Sequence, residues 1–277
     1  MNSPPASSPY SSLLNFLTVS DLTVSFVQAA LQWHQPEANR AELTRLLSQL
    51  SFSSDIIVLP EMFSTGFSME AEALAEPVEG PSLAWMREVA ARHDSVVTGS
   101  LMVRDDGRFY NRLFWVRPDG TYSHYDKHHL FTFAREQDTY TPGTALLLEE
   151  WRGWRIRPLI CYDLRFPVWS RNSAEQPYDL LIYMANWPAI RRTAWMTLLR
   201  ARAIENLAYT LGVNCVGMDS QGQHYAGDSA LLDMKGEYLV EVGNHETSIT
   251  RTLRRNELDA YRRRFPALQD ADPFTLL

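Results

Sequence analysis

Cys161 and Cys215 are the only thiols among 277 residues, and Cys161 stands where a thiol can react. It ends the apolar run Arg157-Pro-Leu-Ile160, and Tyr162-Asp-Leu-Arg-Phe-Pro167 then breaks into polar residues and a proline. A short apolar run ending in a turn reads as a buried strand, and in open α/β sheets reactive groups gather where strands end. A thiol there lies near the backbone N–H groups of a following helix, whose partial positive charge favours a thiolate and can later hold an oxyanion. The plainer alternative is a core cysteine, since cysteine is among the most buried residue types.

Three groups can work with that thiol. Glu61 directly follows Asp55-Ile-Ile-Val-Leu-Pro60, another buried-strand pattern, so neighbouring strands would bring it to the same rim as a general base. Tyr125-Asp-Lys127-His-His-Leu130 is dense in titratable residues, and Lys127 can donate to an oxyanion, a contribution of about 3 to 4 kcal/mol to a barrier. Glu136 and Arg165 form the third group, with Arg165 able to clamp a carboxylate bidentately. His128 or His129 would instead make a Cys-His pair, and His124, Asp126 and His128 would share one face of an extended segment as metal ligands. Both readings weigh less, because no complementary Cys or His cluster lies elsewhere.

These residues need elements to hold them. The sequence predicts strands over 22–29, 55–60, 95–103, 109–116, 121–125, 146–151, 154–160, 180–184 and 209–216, with shorter ones near Ala230, Tyr238 and Ser248. Asn39-Arg-Ala-Glu42 resembles a capping box for a helix whose apolar face is Leu43, Leu46, Leu47 and Leu50. Further helices are expected over 81–92, 191–206 and 256–264. The 191–206 helix, apolar on most sides, should pack between layers. Strand–helix units mixed with strand-to-strand hairpins imply α/β architecture, either two sheets or one large mixed sheet under helices.

A 45% hydrophobic fraction with 8 Trp, 12 Tyr and 12 Phe suits a substantial core. A formal net charge of -7 argues against a general nucleic-acid or anionic-membrane binder. No apolar run approaches the roughly 18 to 20 residues that cross a bilayer. Residues 1–20, rich in Ser and Pro, lack the features of a secretory signal and read as a flexible tail before a 21–277 domain with its own C-terminal tail. Two cysteines make no disulfide framework, which suits a reducing cytoplasm.

Leu59-Pro-Glu61, Tyr125-Asp-Lys-His-His-Leu130, Pro142-Gly143 and Ile160-Cys-Tyr-Asp-Leu-Arg-Phe-Pro167, in this order, resemble the nitrilase superfamily of carbon-nitrogen hydrolases. Asn186-Trp-Pro188, Ala201-Arg-Ala-Ile-Glu-Asn206 and Tyr225-Ala-Gly-Asp-Ser229 extend the resemblance over residues 22–253. Glu61-Met-Phe-Ser-Thr-Gly-Phe67 and Glu150-Trp-Arg-Gly-Trp-Arg155 are most similar to bacterial omega-amidases, which cleave the terminal amide of 2-oxo acids. The resemblance implies a four-layer αββα sandwich, a homodimer or larger homo-oligomer, a Glu61–Lys127–Cys161 triad and no metal or organic cofactor. It gives Glu136 a place beside the triad, although Ala134-Arg-Glu-Gln137 departs from the commoner Gly-Glu, and Val168 replaces a frequent glutamate. The expected substrate is a small amide such as 2-oxoglutaramate or 2-oxosuccinamate, met by Tyr162, Arg165, Phe63, Phe133 and Trp187. Another amidase or nitrilase specificity is the alternative on the same scaffold.

Overall fold

Alternation of buried side chains along the strands sets the architecture. In the computed structural model, which describes residues 19–50, 53–272 and 274, Ile56 and Val58 face one core while Ile57 and Leu59 face another. The strands are β1 (Leu22–Gln28), β2 (Ile56–Val58), β3 (Glu76–Pro77), β4 (Val96–Asp105), β5 (Arg108–Val116), β6 (Tyr122–Asp126), β7 (Glu149–Trp151) and β8 (Trp154–Ile160). They continue with β9 (Leu180–Met184), β10 (Tyr209–Val213), β11 (Val216–Met218), β12 (His224–Ala226), β13 (Ala230–Leu232), β14 (Tyr238–Glu241) and β15 (Thr247–Leu253). The helices are α1 (Pro36–Leu47), α2 (Ala71–Leu74), α3 (Pro81–His93), α4 (Arg192–Asn206) and α5 (Arg255–Arg264).

Two large sheets form, not one, with β11 and β12 as a separate two-stranded pair. The first runs β15-β1-β2-β4-β5-β6 with β3 beside β4, and the second runs β14-β13-β10-β9-β8-β7. Each has a parallel centre, β1-β2-β4 or β8-β9-β10, flanked by antiparallel strands. Phe26, Leu113 and Trp115 of the first sheet pack with Leu159, Leu181 and Leu211 of the second. Leu43 and Leu46 of α1 and Leu83 and Met86 of α3 cover the outer face of the first sheet. Trp195 and Leu199 of α4 lie so close to β10 that a Cβ at Gly212 would meet Leu199 at 2.5 Å. The result is the expected αββα order.

Several expectations need correction. α1 starts at Pro36, a proline at a first-turn position whose missing N–H costs nothing there, and not behind an Asn39 cap. Asn39 is buried and binds Gln32 and Ser64 instead. α4 is one-sided: Trp195 and Leu199 are buried while Ile204 is 48% exposed, so it is an outer layer. The 209–216 strand breaks after Val213 into β10 and β11, and α2 and β3 carried no sequence signal. The tail expected over residues 1–20 lies, up to residue 18, outside the described residues.

α5 is clamped by charge. Buried Asp179 takes Arg262 Nη1 at 2.7 Å and Arg255 Nη1 at 3.1 Å, and the backbone N–H of Arg155 at 3.1 Å. Burial opposes ionisation, but that N–H and the three guanidiniums of Arg262, Arg255 and Arg155 prevail and hold the carboxyl below its usual value. A depressed pKa gives stability above the unfolded value of about 3.9 that is lost as pH falls. Asp179→Asn should therefore cost about 2–4 kcal/mol at pH 7, with the gap to the parent narrowing towards pH 3 in urea titrations.

Candidate active site

The left-handed backbone at Cys161 defines the nucleophile position. Cys161 follows β8 and opens the short 3-10 turn Cys161–Arg165 with a φ of 43°. A non-glycine residue adopts that region at a cost of order 1–3 kcal/mol, so its neighbours must impose it. Asp163 does so: its Oδ2 accepts from Ile160 N at 3.0 Å and Tyr125 Oη at 2.8 Å. Its Oδ1 takes His129 N at 3.0 Å, which ties the turn to the segment carrying Lys127. Where a helix was expected after Cys161 there is only this 3-10 turn, so no α-helix dipole favours the thiolate. Burial instead pushes the thiol well above its ordinary pKa, the Glu61 charge adds to the rise, and Lys127 only partly offsets it.

Glu61 is fully buried and lines the same cavity as Cys161. Its Oε1 accepts Lys127 Nζ at 2.9 Å and Asn111 Nδ2 at 2.8 Å, and its Oε2 accepts Asn186 N at 2.8 Å. Asn186 Nδ2 also donates to the Glu61 carbonyl at 2.6 Å, while Cys215 donates its S–H to Asn186 Oδ1 at 2.9 Å. Glu61 follows β2 of the first sheet and Cys161 follows β8 of the second. They meet across two sheets and not on neighbouring strands of one, as the sequence suggested.

Lys127 Nζ also reaches both oxygens of buried Glu136, at 3.1 and 3.0 Å. Burial would lower the Lys127 pKa, but Glu136 and Glu61 outweigh it and raise the ammonium above its ordinary value. Burial raises Glu136, with Lys127 opposing. Lys127 leaves β6 beside Asn111 O, which accepts its N–H at 3.0 Å, and its own carbonyl accepts Gly143 N at 3.0 Å. A Cβ at Gly143 would sit 2.1 Å from Asp126 O. Gly143→Ala should push that strand end aside and lower kcat/KM by about 100-fold, the loss expected for an ångström of misplacement, with secondary structure unchanged by circular dichroism.

A cavity of about 240 Å³ opens onto Glu61, Lys127 and Cys161. Its walls include four of the five expected substrate contacts: Tyr162, Arg165, Phe133 and Trp187. Phe63 is the exception. It is buried behind β4, where a Cβ at Gly99 would meet its Cδ1 at 2.9 Å, and Phe67 lines the cavity in its place. Asn111, Asn186 and Asp163 were not among the expected site residues, although Asn186-Trp-Pro188 and Cys161-Tyr-Asp163 both belong to the motifs that carry the resemblance.

The histidines face elsewhere. His128 stacks on Trp169 at 3.8 Å with Nδ1 2.6 Å from Gly143 O, and His129 Nδ1 lies 2.9 Å from Asp163 Oδ1. Neither lines the cavity of Cys161, so a Cys-His pair does not form. Asp126 is bound by Arg112 at 2.6 Å, and among the described residues no three His, Cys, Asp or Glu side chains are grouped to hold a metal.

A thiol, a carboxylate in the same cavity and a buried ammonium bound to that carboxylate can carry out acyl transfer through a covalent intermediate. That chemistry on an αββα frame defines a class of hydrolase. The chain belongs to the carbon-nitrogen hydrolases, whose family model matches residues 23–263. The omega-amidase YafV of Yersinia enterocolitica is 46% identical over 260 residues, 94% of this chain and 100% of its own. The 2-oxoglutaramate amidase of Bacillus subtilis is 30% identical over 251 residues, 90% of this chain and 96% of its own. XC1258 from Xanthomonas campestris, a CN-hydrolase superfamily protein with an arsenic adduct in its active site, is 47% identical with a TM-score of 0.91. That match covers 93% of this chain and 99% of the other.

Proposed function

We propose that this protein is an omega-amidase, hydrolysing the terminal amide of 2-oxo acid monoamides such as 2-oxoglutaramate and 2-oxosuccinamate to the dicarboxylate and ammonia. The observation that carries the reaction is the Cys161 thiol sharing one cavity with the Lys127–Glu61 pair. The similarity to an omega-amidase over nearly the whole chain supports the substrate.

Glu61 takes the thiol proton as Cys161 Sγ attacks the amide carbon, which matters because a buried neutral thiol is a weak nucleophile. Lys127 Nζ and the Tyr162 N–H stabilise the tetrahedral oxyanion. Glu61 returns the proton to the departing nitrogen, ammonia leaves, and an acyl thioester remains on Cys161. Water, its proton taken by Glu61, attacks that carbonyl, and the carboxylic acid departs as the thiol is restored. Glu136 acts as a positioning residue that holds the Lys127 ammonium. Arg165, Phe133 and Trp187 line the cavity, and in this reading they meet the far end of a short substrate.

Both thiols are free and buried, which suits a reducing cytoplasm, and no described helix is long and apolar enough to cross a membrane. A homodimer or larger homo-oligomer belongs to the same proposal and is read by sedimentation velocity.

The test is ammonia release from 2-oxoglutaramate beside glutamine, a simple aliphatic amide and a nitrile. Preferred turnover of 2-oxoglutaramate is expected. Preferred turnover of the nitrile or the plain amide would move the protein to another specificity on the same scaffold.

A further inference from the structure

The cavity holds two cations beyond Lys127. Arg165 lies with its guanidinium 4.9 Å from the Trp187 ring, and Arg191 lies 4.9 Å from the Phe133 ring and 5.4 Å from the Phe131 ring. Among the described residues neither guanidinium has an ion-pair partner, whereas the adjacent Arg192 is paired with Asp228 at 2.6 Å. The cavity's two carboxylates are occupied. Glu61 is bound to Lys127, and Asp219 accepts Gln221 N at 2.9 Å, Gln223 N at 2.8 Å and Tyr225 Oη at 3.3 Å. A guanidinium face laid on a ring leaves its N–H edge directed at a planar anion.

Trp187 fixes the placement. Its Nε1 donates to Arg191 O at 2.9 Å while Arg165 covers its ring, and Asn214 holds its backbone at N (2.8 Å) and O (3.1 Å). The preceding residue, Asn186, binds Glu61. One segment thus touches the base, the Arg165 guanidinium and the Arg191 backbone, while the Arg191 guanidinium rests on Phe131 and Phe133 across the cavity.

We infer that Arg191, with Arg165 beside it, is the specificity determinant that selects amides bearing a carboxylate at the far end and disfavours those bearing an ammonium there. This rests on the amidase reading and names the residue responsible for its substrate class. An α-ammonium group, as in glutamine, would face two guanidiniums with Asp219 already hydrogen-bonded elsewhere. A 2-oxo acid presents only acceptors to the same donors.

The experiment compares kcat/KM for 2-oxoglutaramate and butyramide in the wild type, Arg191→Gln and Arg191→Lys, with glutarate as an inhibitor of butyramide turnover. The anionic-to-neutral ratio should fall roughly 10- to 100-fold in Arg191→Gln and partly recover in Arg191→Lys. Glutarate should compete in the wild type and lose that effect in Arg191→Gln. A ratio unchanged in Arg191→Gln overturns the inference. Wild-type preference for butyramide would instead refute the omega-amidase reading, and glutarate inhibition then judges Arg191 separately. If Arg191→Gln does not fold, the wild type and Arg191→Lys decide. Absence of glutarate inhibition in the wild type, or an unchanged ratio in Arg191→Lys, overturns the inference.

Discussion

Glu61→Gln should abolish amide hydrolysis while making Cys161 easier to alkylate. The two effects separate the roles of the carboxylate. As the group that accepts the thiol proton and returns it to the leaving nitrogen, Glu61 should contribute roughly 10²- to 10⁴-fold to kcat/KM. Its negative charge also raises the Cys161 pKa, whereas Lys127 lowers it. Removing that charge leaves the Lys127 ammonium in place, so the thiol pKa falls and the iodoacetamide labelling profile moves to lower pH. Burial still acts, so the midpoint need not reach the value of a free thiol. A labelling profile that moves to higher pH, or turnover within a few-fold of wild type, would contradict the assignment of Glu61 as the base.

Lys127→Met should lose both activity and stability. The substitution keeps an unbranched side chain of similar reach but leaves Glu61 and Glu136 buried without their common cation. Breaking a buried ion pair from one side costs about 3–5 kcal/mol, more than the hydrophobic gain of a methionine there. The variant can reduce the cost only by binding a proton between the two carboxylates. That is a raised folded-state pKa, so its stability is greatest below the ordinary glutamate value and falls as pH rises through the raised one. Urea midpoints at pH 5 and pH 8 should therefore diverge in the variant more than in the parent. Equal midpoints would mean that the carboxylates are not both charged around Lys127.

Strand ends were legible in the sequence because an apolar run followed by Pro60-Glu61 or by Cys161-Tyr162 carries its own signal. Glu61, Lys127, Glu136 and Cys161 were all found in this way or through the resemblance, and the structure brings them together. The partners that hold them were hidden. Asn111 reaches Glu61 across 50 positions and Asn186 across 125, distances at which local pattern says nothing. Periodicity also left open whether one sheet or two carried these strands, and hairpin signals are alike in both cases. Phe63 was misplaced because an aromatic after a strand can turn to either face. Gly99 leaves room for it in the helix-covered core, and Phe67, four residues on, reaches the cavity. The thiol's environment was misjudged for a related reason: the residues after Cys161 form a short 3-10 turn anchored by Asp163, so burial and not a helix terminus sets its pKa.

The acyl-enzyme gives the most direct test of the whole account. The measurement is hydroxylamine trapping during turnover of 2-oxoglutaramate by the wild type and by Cys161→Ala, with ammonia and hydroxamate followed together. A thioester on Cys161 should partition between water and hydroxylamine, so hydroxamate should form at the expense of the free acid as hydroxylamine is raised, and both products should vanish in Cys161→Ala. Ammonia release that persists in Cys161→Ala, or that yields no hydroxamate in the wild type, would contradict covalent catalysis at this residue.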